Sequence, residues 1–260
     1  MFEKIQSIVK AIKRDQPLVL NITNFVTMDF VANGLLSLGA SPIMSYAEQE
    51  LEELVALAAV VVINPGTLND EFVTLCKKAC HIANQLKKPI ILDPVGAGAS
   101  HYRTSVYKRL LDEFAISIIR GNASEVMALA GAGLITKGVD SSIESQWAIQ
   151  NAQELAIKNK AVIVVSGKMD VIVDACLVEK SHHGSALMSR VTGTGCLLSA
   201  VVAAFHAVHD NAFEAAVAAI YFYGVCGELV EKKTSLPGSF KTCFIDTLSL
   251  TPTREHYEKN

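Results

Sequence analysis

Short apolar runs alternate with longer amphipathic stretches along most of this chain. The runs are "LVLNI" from Leu18, "AVVVI" from Ala59, "PIILD" from Pro89, "ISII" from Ile116 and "AVIVVS" from Ala161. Each is rich in Val and Ile and nearly unbroken by polar residues, the pattern of a strand buried on both faces in a parallel sheet. Between them, "TLNDEFVTLCKKACHIANQLKK" and "SIESQWAIQNAQELAIKNK" repeat apolar residues at three- and four-residue spacing and so predict helices with one polar face. "DVIVDACLVEK", which follows Gly167 and Lys168-Met169, predicts two strands forming an antiparallel edge. Repeated strand–helix–strand alternation implies an α/β fold: a three-layer αβα sandwich around a mostly parallel central sheet.

From Gly195 onward the pattern turns helical, through "CLLSAVVAAFHAV", "NAFEAAVAAIYFYGVCGELVEKK" and "SFKTCFIDTLSL". The stretch from about Asn211 to Lys233 is apolar almost all round. Such a helix is either central to the fold or covered by another subunit. No linker, low-complexity tract or internal repeat divides the chain, so residues 1–260 are expected to form a single domain.

Composition narrows the partners. Half of the 260 residues are hydrophobic, enough for a large core. Charge is nearly balanced, 23 basic against 26 acidic residues, and no Lys/Arg run exceeds two, which argues against nucleic acid. The start, "MFEKIQSIVKAIKRDQP", lacks the apolar region of a signal peptide, and no unbroken apolar run approaches the roughly 20 residues of a membrane span. A soluble, cytoplasmic protein without a membrane partner is expected. The six cysteines lack the spacing of a zinc site or a disulfide scaffold. Cys76 and Cys80 stand at i, i+4, but no second pair completes four ligands.

In open α/β sheets, ligands gather beyond the carboxyl ends of the parallel strands. Those ends read Thr23-Asn24, "NPGT" from Asn64, "DPVGAG" from Asp93, "RGNASE" from Arg120 and Ser166-Gly167. Asp93 closes an apolar strand, where a carboxylate is costly to bury unless it meets a cation such as magnesium; the alternative is a helix cap. "NASE" has the form of a capping box, with Asn122 as cap and Glu125 reaching back. Arg120 suits nucleotide phosphates, or else a salt bridge to Glu125.

"VTGTGCLLSAVVAAF" from Val191 sets a glycine turn against a helix start. Read structurally, Thr192 or Thr194 caps the helix. Read chemically, the amides of Gly193, Thr194, Gly195 and Cys196 form an anion hole for a phosphoryl group. No Gly-Lys-Ser/Thr follows, so this is not a Walker loop, and no third glycine makes it a dinucleotide fingerprint. The histidines lack triad spacing and suit surface or cap roles.

Together, "TNFVTMDFVANGLLSLGASPIM", "NPGTL", "LDPVGAG", "RGNASEVMALAG" and "VTGTGCLLSAVVAAF" resemble the hydroxyethylthiazole kinases of the ribokinase-like superfamily, in order from about Pro17 to Ile245. The resemblance implies a ribokinase-like fold, transfer of the γ-phosphoryl of ATP to 4-methyl-5-(2-hydroxyethyl)thiazole for thiamine salvage, and a homotrimer with active sites between subunits. It makes Arg120 and Ser166 ATP contacts and Asp93 and Glu125 organisers of Mg2+ and phosphate. Gly193 to Cys196 become the anion hole, with Gly193 also touching substrate. Asn24, Val26 and Met44 line the thiazole side, and Gly66 reaches the thiazole of the neighbouring subunit. Met44 would offer a polarizable surface to a sulfur-containing ring, where core packing is the alternative. Pro65 departs from the family's aliphatic residue and removes an amide donor.

Cys196 stands where most ribokinase-like enzymes have an aspartate base. Phosphoryl transfer through a loose transition state asks little of a base, so a thiol can serve. A helix N-terminus can also lower a thiol's pKa. Two other readings compete: a kinase of the same fold acting on another vitamin-precursor alcohol such as a hydroxymethylpyrimidine, and a nucleotide-binding protein without turnover.

Overall fold

A computed structural model describes residues 1–131, 141–251 and 253–257, with side chains left undescribed over 141–148. The strands are β1 (Leu18–Thr23), β2 (Ser41–Met44), β3 (Val60–Asn64), β4 (Ile90–Leu92), β5 (Ile118–Asn122), β6 (Val162–Ser166), β7 (Asp170–Val173) and β8 (Val178–Ser181). They form one sheet in the order β2-β1-β3-β4-β5-β6-β7-β8. All pairings from β2 through β6 are parallel, and β7 and β8 add the antiparallel edge expected from the sequence.

The helices are α1 (Phe2–Asp15), α2 (Met28–Leu38), α3 (Leu51–Leu57), α4 (Asp70–Gln85), α5 (His101–Glu113), α6 (Ala123–Ala130), α7 (Ser141–Asn159), α8 (Thr194–His206), α9 (Ala212–Glu231) and α10 (Pro237–Leu248). Strand alternation sorts them into two layers. Val60 and Val62 of β3 join α1, α2, α8, α9 and α10 in one core, whereas Val61 and Ile63 join α3 to α7 in the other. The expected three-layer sandwich is therefore the observed one.

Two features differ from the sequence reading, and a third resolves an alternative that it leaves open. β2 contains Pro42, which cannot donate to a ladder; it is tolerated because β2 is an edge strand, hydrogen-bonded only to β1. α1 lies in a stretch read only for the absence of a signal peptide, yet Ile5, Ile8, Val9 and Ile12 give it a buried stripe at helical spacing. α9 is long and apolar enough to cross a membrane, but most of it is buried inside the chain, against α8, α10 and α1. Its apolar surface is thus satisfied internally and does not call for a covering subunit.

Helix starts are set locally. Asn69, Ser100, Asn122 and Asn211 each accept a backbone N–H at the head of α4, α5, α6 and α9. At α6 the capping box is complete, with Asn122 bonded to the Glu125 amide and Glu125 to the Asn122 amide. α8 begins differently. Its N-cap is Gly193, in the left-handed region at φ 96°, with no side-chain cap. A Cβ there would lie 3.0 Å from Thr27 Cγ2, so glycine is required by both conformation and space.

Candidate active site

The carboxyl ends of β1, β3, β4, β5 and β6 deliver Asn24, Asn64, Asp93, Arg120 and Ser166 to one place, and the N-terminus of α8 faces them. Among the described residues, the only buried Asp, Glu, Lys or Arg are Asp93, Arg120 and Glu125. Burying charge is expensive unless it is paired, so this concentration marks a site built for more than packing.

Asp93 is fully buried. Its Oδ2 accepts from Asn64 Nδ2 at 2.9 Å and from Ser199 Oγ at 2.8 Å, and Arg120 Nη1 stands 3.4 Å from both carboxylate oxygens. Burial pushes its pKa up to about 6, against the opposing pull of Arg120. Arg120 therefore pairs with Asp93 rather than with Glu125, the partner considered from sequence. Its Nη2 donates to Ser166 Oγ at 2.7 Å, which joins two of the sequence-predicted residues directly. Its buried Nε has no hydrogen-bond partner among the described residues, a donor left over for a ligand oxygen.

Glu125 is engaged at both oxygens: Oε1 accepts from the Gly96 amide and Oε2 from the Asn122 amide, each at 2.8 Å. It thereby ties the "DPVGAG" loop to the start of α6. No group of three or more His, Cys, Asp or Glu side chains poised for a metal occurs among the described residues. Asp93 and Glu125 nonetheless retain free lone pairs, a donor set that suits a Mg2+ ion keeping most of its ligands as water and phosphate oxygen.

The glycine turn lies close over this pair. A Cβ on Gly195 would sit 2.8 Å from Arg120 Nη2 and 2.9 Å from Nη1, so the backbone of the first turn rests against the guanidinium. Thr194 is not a cap: its hydroxyl donates back to Met188 O at 2.8 Å, and its own carbonyl accepts from Tyr223 Oη at 2.7 Å. The head of α8 is fastened by these bonds while its leading amides lack side-chain partners, the geometry of an anion cradle.

Cys196 is half-buried, and Asn24 Nδ2 lies 3.4 Å from its Sγ. Its pKa is raised, first by burial and then by Asp93, although donors from Thr27, Asn64 and Asn24 oppose the rise. Desolvation thus outweighs the donors around the sulfur.

On the substrate side, Asn24 is only 4% exposed, whereas Val26 is 70% exposed on the loop after β1. Met44 is partly buried against the α8 core. A Cβ on Gly66 would lie 3.1 Å from Asn24 Cβ, so this glycine lets Asn24 seat. Pro65 is buried, and Tyr107 Oη lies 3.3 Å from its carbonyl. The histidines stay out of the site, His183 meeting Glu228 and His209 meeting Glu214.

Four residues of the site escaped the sequence reading. Asn64 opens "NPGT" without a chemical signal of its own, and Thr27 and Asp170 lie in "TNFVTMDFVANGLLSLGASPIM" and "DVIVDACLVEK", whose patterns assign them no role. Ser199 had a usable signal, a polar residue one turn after Cys196 in an otherwise apolar helix. Asp170 accepts from the Gly167 amide at 2.9 Å, holding the turn after Ser166, and burial pushes its pKa up to about 6.

The fold is the ribokinase-like one. The architecture is shared with a ribokinase-like superfamily protein of Enterococcus faecalis V583, at TM-score 0.69 and 16% identity over 94% of this chain and 93% of that one. The chain belongs to the hydroxyethylthiazole kinase family, whose model it matches over residues 9–253. It is 47% identical over 235 residues to the hydroxyethylthiazole kinase of Listeria monocytogenes serotype 4b (strain F2365), covering 90% of this chain and 87% of that protein. The hydroxyethylthiazole kinase structure from Pyrococcus horikoshii OT3 superposes at TM-score 0.88 with 38% identity, over 95% of this chain and 93% of the other.

Proposed function

We propose that this chain transfers the γ-phosphoryl of ATP to the hydroxyl of 4-methyl-5-(2-hydroxyethyl)thiazole in thiamine salvage. The observation that carries the reading is the buried Asp93–Arg120 pair lying against the glycine turn, in a chain of this family. Phosphoryl transfer needs little covalent chemistry from the protein, mainly positioning and neutralisation of charge on the equatorial oxygens. Arg120, with Ser166 behind it and an unpaired Nε, holds nucleotide phosphate. The amides of Gly193, Thr194, Gly195 and Cys196 form the anion hole for the migrating group, and Gly193 also borders the substrate. Asp93 and Glu125 would hold Mg2+, which when bound would neutralise phosphate oxygens.

Cys196 takes the hydroxyl proton. Its raised pKa makes thiolate scarce at neutral pH, which a late proton transfer in a loose transition state tolerates. Val26 and Met44 border the thiazole, with Asn24 behind them. Exposed Phe25 and Val26, with Phe25 stacked on Tyr46 above buried Phe72, form an apolar lip beside the site. That lip supports a trimer in which a neighbouring subunit, through Gly66, completes each pocket, and sedimentation tests it: a monomer with full activity excludes shared sites. A cytoplasmic setting accords with such a metabolic kinase.

The deciding assay follows ADP release from ATP and magnesium with hydroxyethylthiazole and, separately, a hydroxymethylpyrimidine. Release with the thiazole alone is expected. Release only with the pyrimidine, or with neither, removes the reading.

A further inference from the structure

Tyr223, on α9, is 2% exposed and turns its hydroxyl toward the head of α8. Its Oη lies 2.7 Å from the carbonyl oxygen of Thr194, and a carbonyl can only accept, so the phenol donates. α9 comes near enough because two of its positions lack side chains. A Cβ on Gly224 would lie 2.6 Å from His183 O, and one on Gly227 would lie 2.9 Å from Met188 Sδ, so the segment leading to the glycine turn passes against bare helix backbone.

The Thr194 carbonyl shares its peptide unit with the Gly195 amide. That amide has no acceptor among the described residues, whereas the Thr194 amide already reaches Val191 O at 3.5 Å. Gly195 is also where the turn rests against Arg120. Resonance couples the two ends of a peptide: a donor on the oxygen draws charge through the C–N bond and leaves the N–H a stronger donor. Orientation is not what the phenol supplies. The turn is already fastened by Thr194 Oγ1, 2.8 Å from Met188 O, and by Leu197 N, 2.8 Å from Gly193 O. Removing the Tyr223 hydroxyl would take away the polarisation of one peptide, at an amide free to meet a phosphoryl oxygen.

We propose that Tyr223 assists phosphoryl transfer without touching substrate: through the Thr194–Gly195 peptide it strengthens the Gly195 N–H as a donor to the migrating group. The inference rests on the reading of the α8 amides as an anion hole, but its first test does not require turnover. Thr192-Gly193 and Thr194-Gly195 are the only Thr-Gly pairs in the sequence, so isotope labels on threonine carbonyl carbon and glycine nitrogen select these two amides in NMR spectra of the full-length chain. Thr192→Ser deletes the Gly193 signal and so assigns both. Tyr223→Phe removes the hydroxyl and keeps the ring, with its edge-to-face contact to Phe244 at 4.8 Å between centroids. The Gly195 amide proton should move upfield while that of Gly193 stays. An anion-hole donor is worth roughly 10²–10³ in rate and polarisation roughly 10–30% of a bond, so kcat should fall about two- to eightfold, with KM for ATP and for the thiazole unchanged. A general loosening of the site would instead move both amides and raise KM. Should Tyr223→Phe not fold, replacing Tyr223 by a ring-fluorinated tyrosine, a more acidic and so stronger donor, should move Gly195 downfield. A Gly195 proton that moves no more than that of Gly193, a shift of the opposite sign, or a kcat equal to the parent's overturns the proposal. Absence of thiazole phosphorylation in the parent would remove the functional reading and leave the amide shift to decide this one, so the two fail separately.

Discussion

The two ends of the sheet handle charge in opposite ways. At the carboxyl ends, Asp93, Arg120 and Glu125 are buried, Arg120 standing 3.4 Å from Asp93 and Glu125 held by the Gly96 and Asn122 amides. At the amino ends, a groove of roughly 660 Å3 is lined by Lys87, Lys88, Lys160, His206 and Asp210 among others, and its charges remain in contact with solvent. Lys87 and Lys160 follow the C-termini of α4 and α7 in left-handed backbone, where a cation complements the exposed carbonyls. Charge at that end is explained by helix geometry alone. Charge at the other end costs desolvation, and only a ligand or a reaction accounts for keeping it.

The largest test of that contrast removes the contact between turn and guanidinium. Gly195→Val would drive a side chain into Arg120, which Asp93 and Ser166 hold in place. Turnover should fall by roughly 10³ or more, beyond the usual loss of one anion-hole donor. Circular dichroism should stay native, because the change lies at a half-buried surface; a variant with near-parent kcat would show the cradle to be incidental.

A smaller effect is expected at Cys196. Donors from Thr27, Asn64 and Asn24 already surround this position, and they would serve a carboxylate as readily as a sulfur. Cys196→Asp should therefore keep or raise kcat, whereas Cys196→Ala should lose about 10²-fold, the low end for a general base. A folded but inactive Cys196→Asp variant would mean that the position needs more than a base.

Asp93 gives the contrast a pH signature. Its folded pKa, about 6, lies above the unfolded value near 3.8, so between them the folded state binds more protons. Its contribution is most favourable below that window and declines as pH rises through it, then stays level. Asp93→Asn removes the decline, and the variant's stability should gain on the parent's by roughly 2 kcal/mol between pH 4.5 and pH 7 in urea titrations. Asp170, also near 6, should leave the variant with a residual slope. Parallel curves for parent and variant would show that Asp93 ionises as if exposed.

Much of this was legible in the chain, for a physical reason. Buried parallel strands must be apolar throughout, so Val60 to Ile63 and Val162 to Val165 declare themselves, and polar residues at their ends stand out. β2 did not, because Pro42 is acceptable only on an edge, and edge position is a property of the whole sheet. α9 stayed ambiguous for another reason: its all-round apolarity is the same whether α10 and α1 or a second subunit covers it. The site divided similarly. Asp93, Arg120, Ser166 and the glycine turn carry chemistry in their side chains or spacing. Asn64 and Ser199 matter through bonds to Asp93 across 29 and 106 positions of sequence, which no local pattern records.

Gly66→Ala probes the outer edge of the same region and should give the smallest effect. The added methyl would meet Asn24 Cβ at 3.1 Å and Asn24 Nδ2 at 3.3 Å, tighter than ordinary contact but short of a clash. Asn24 can yield by only a few tenths of an ångström, because Thr27 and Asn64 hold both ends of its amide. The displacement moves the N–H aimed at Cys196 Sγ, so it should reach kcat as well as KM for the thiazole. A loss of about 1 kcal/mol in transition-state stabilisation, three- to tenfold in kcat/KM, is expected, with KM for ATP unchanged because Arg120 and Ser166 lie on the far side of the turn. A rise in thiazole KM alone would assign Gly66 to substrate contact only, and would separate the outer pocket from the polar groups behind it.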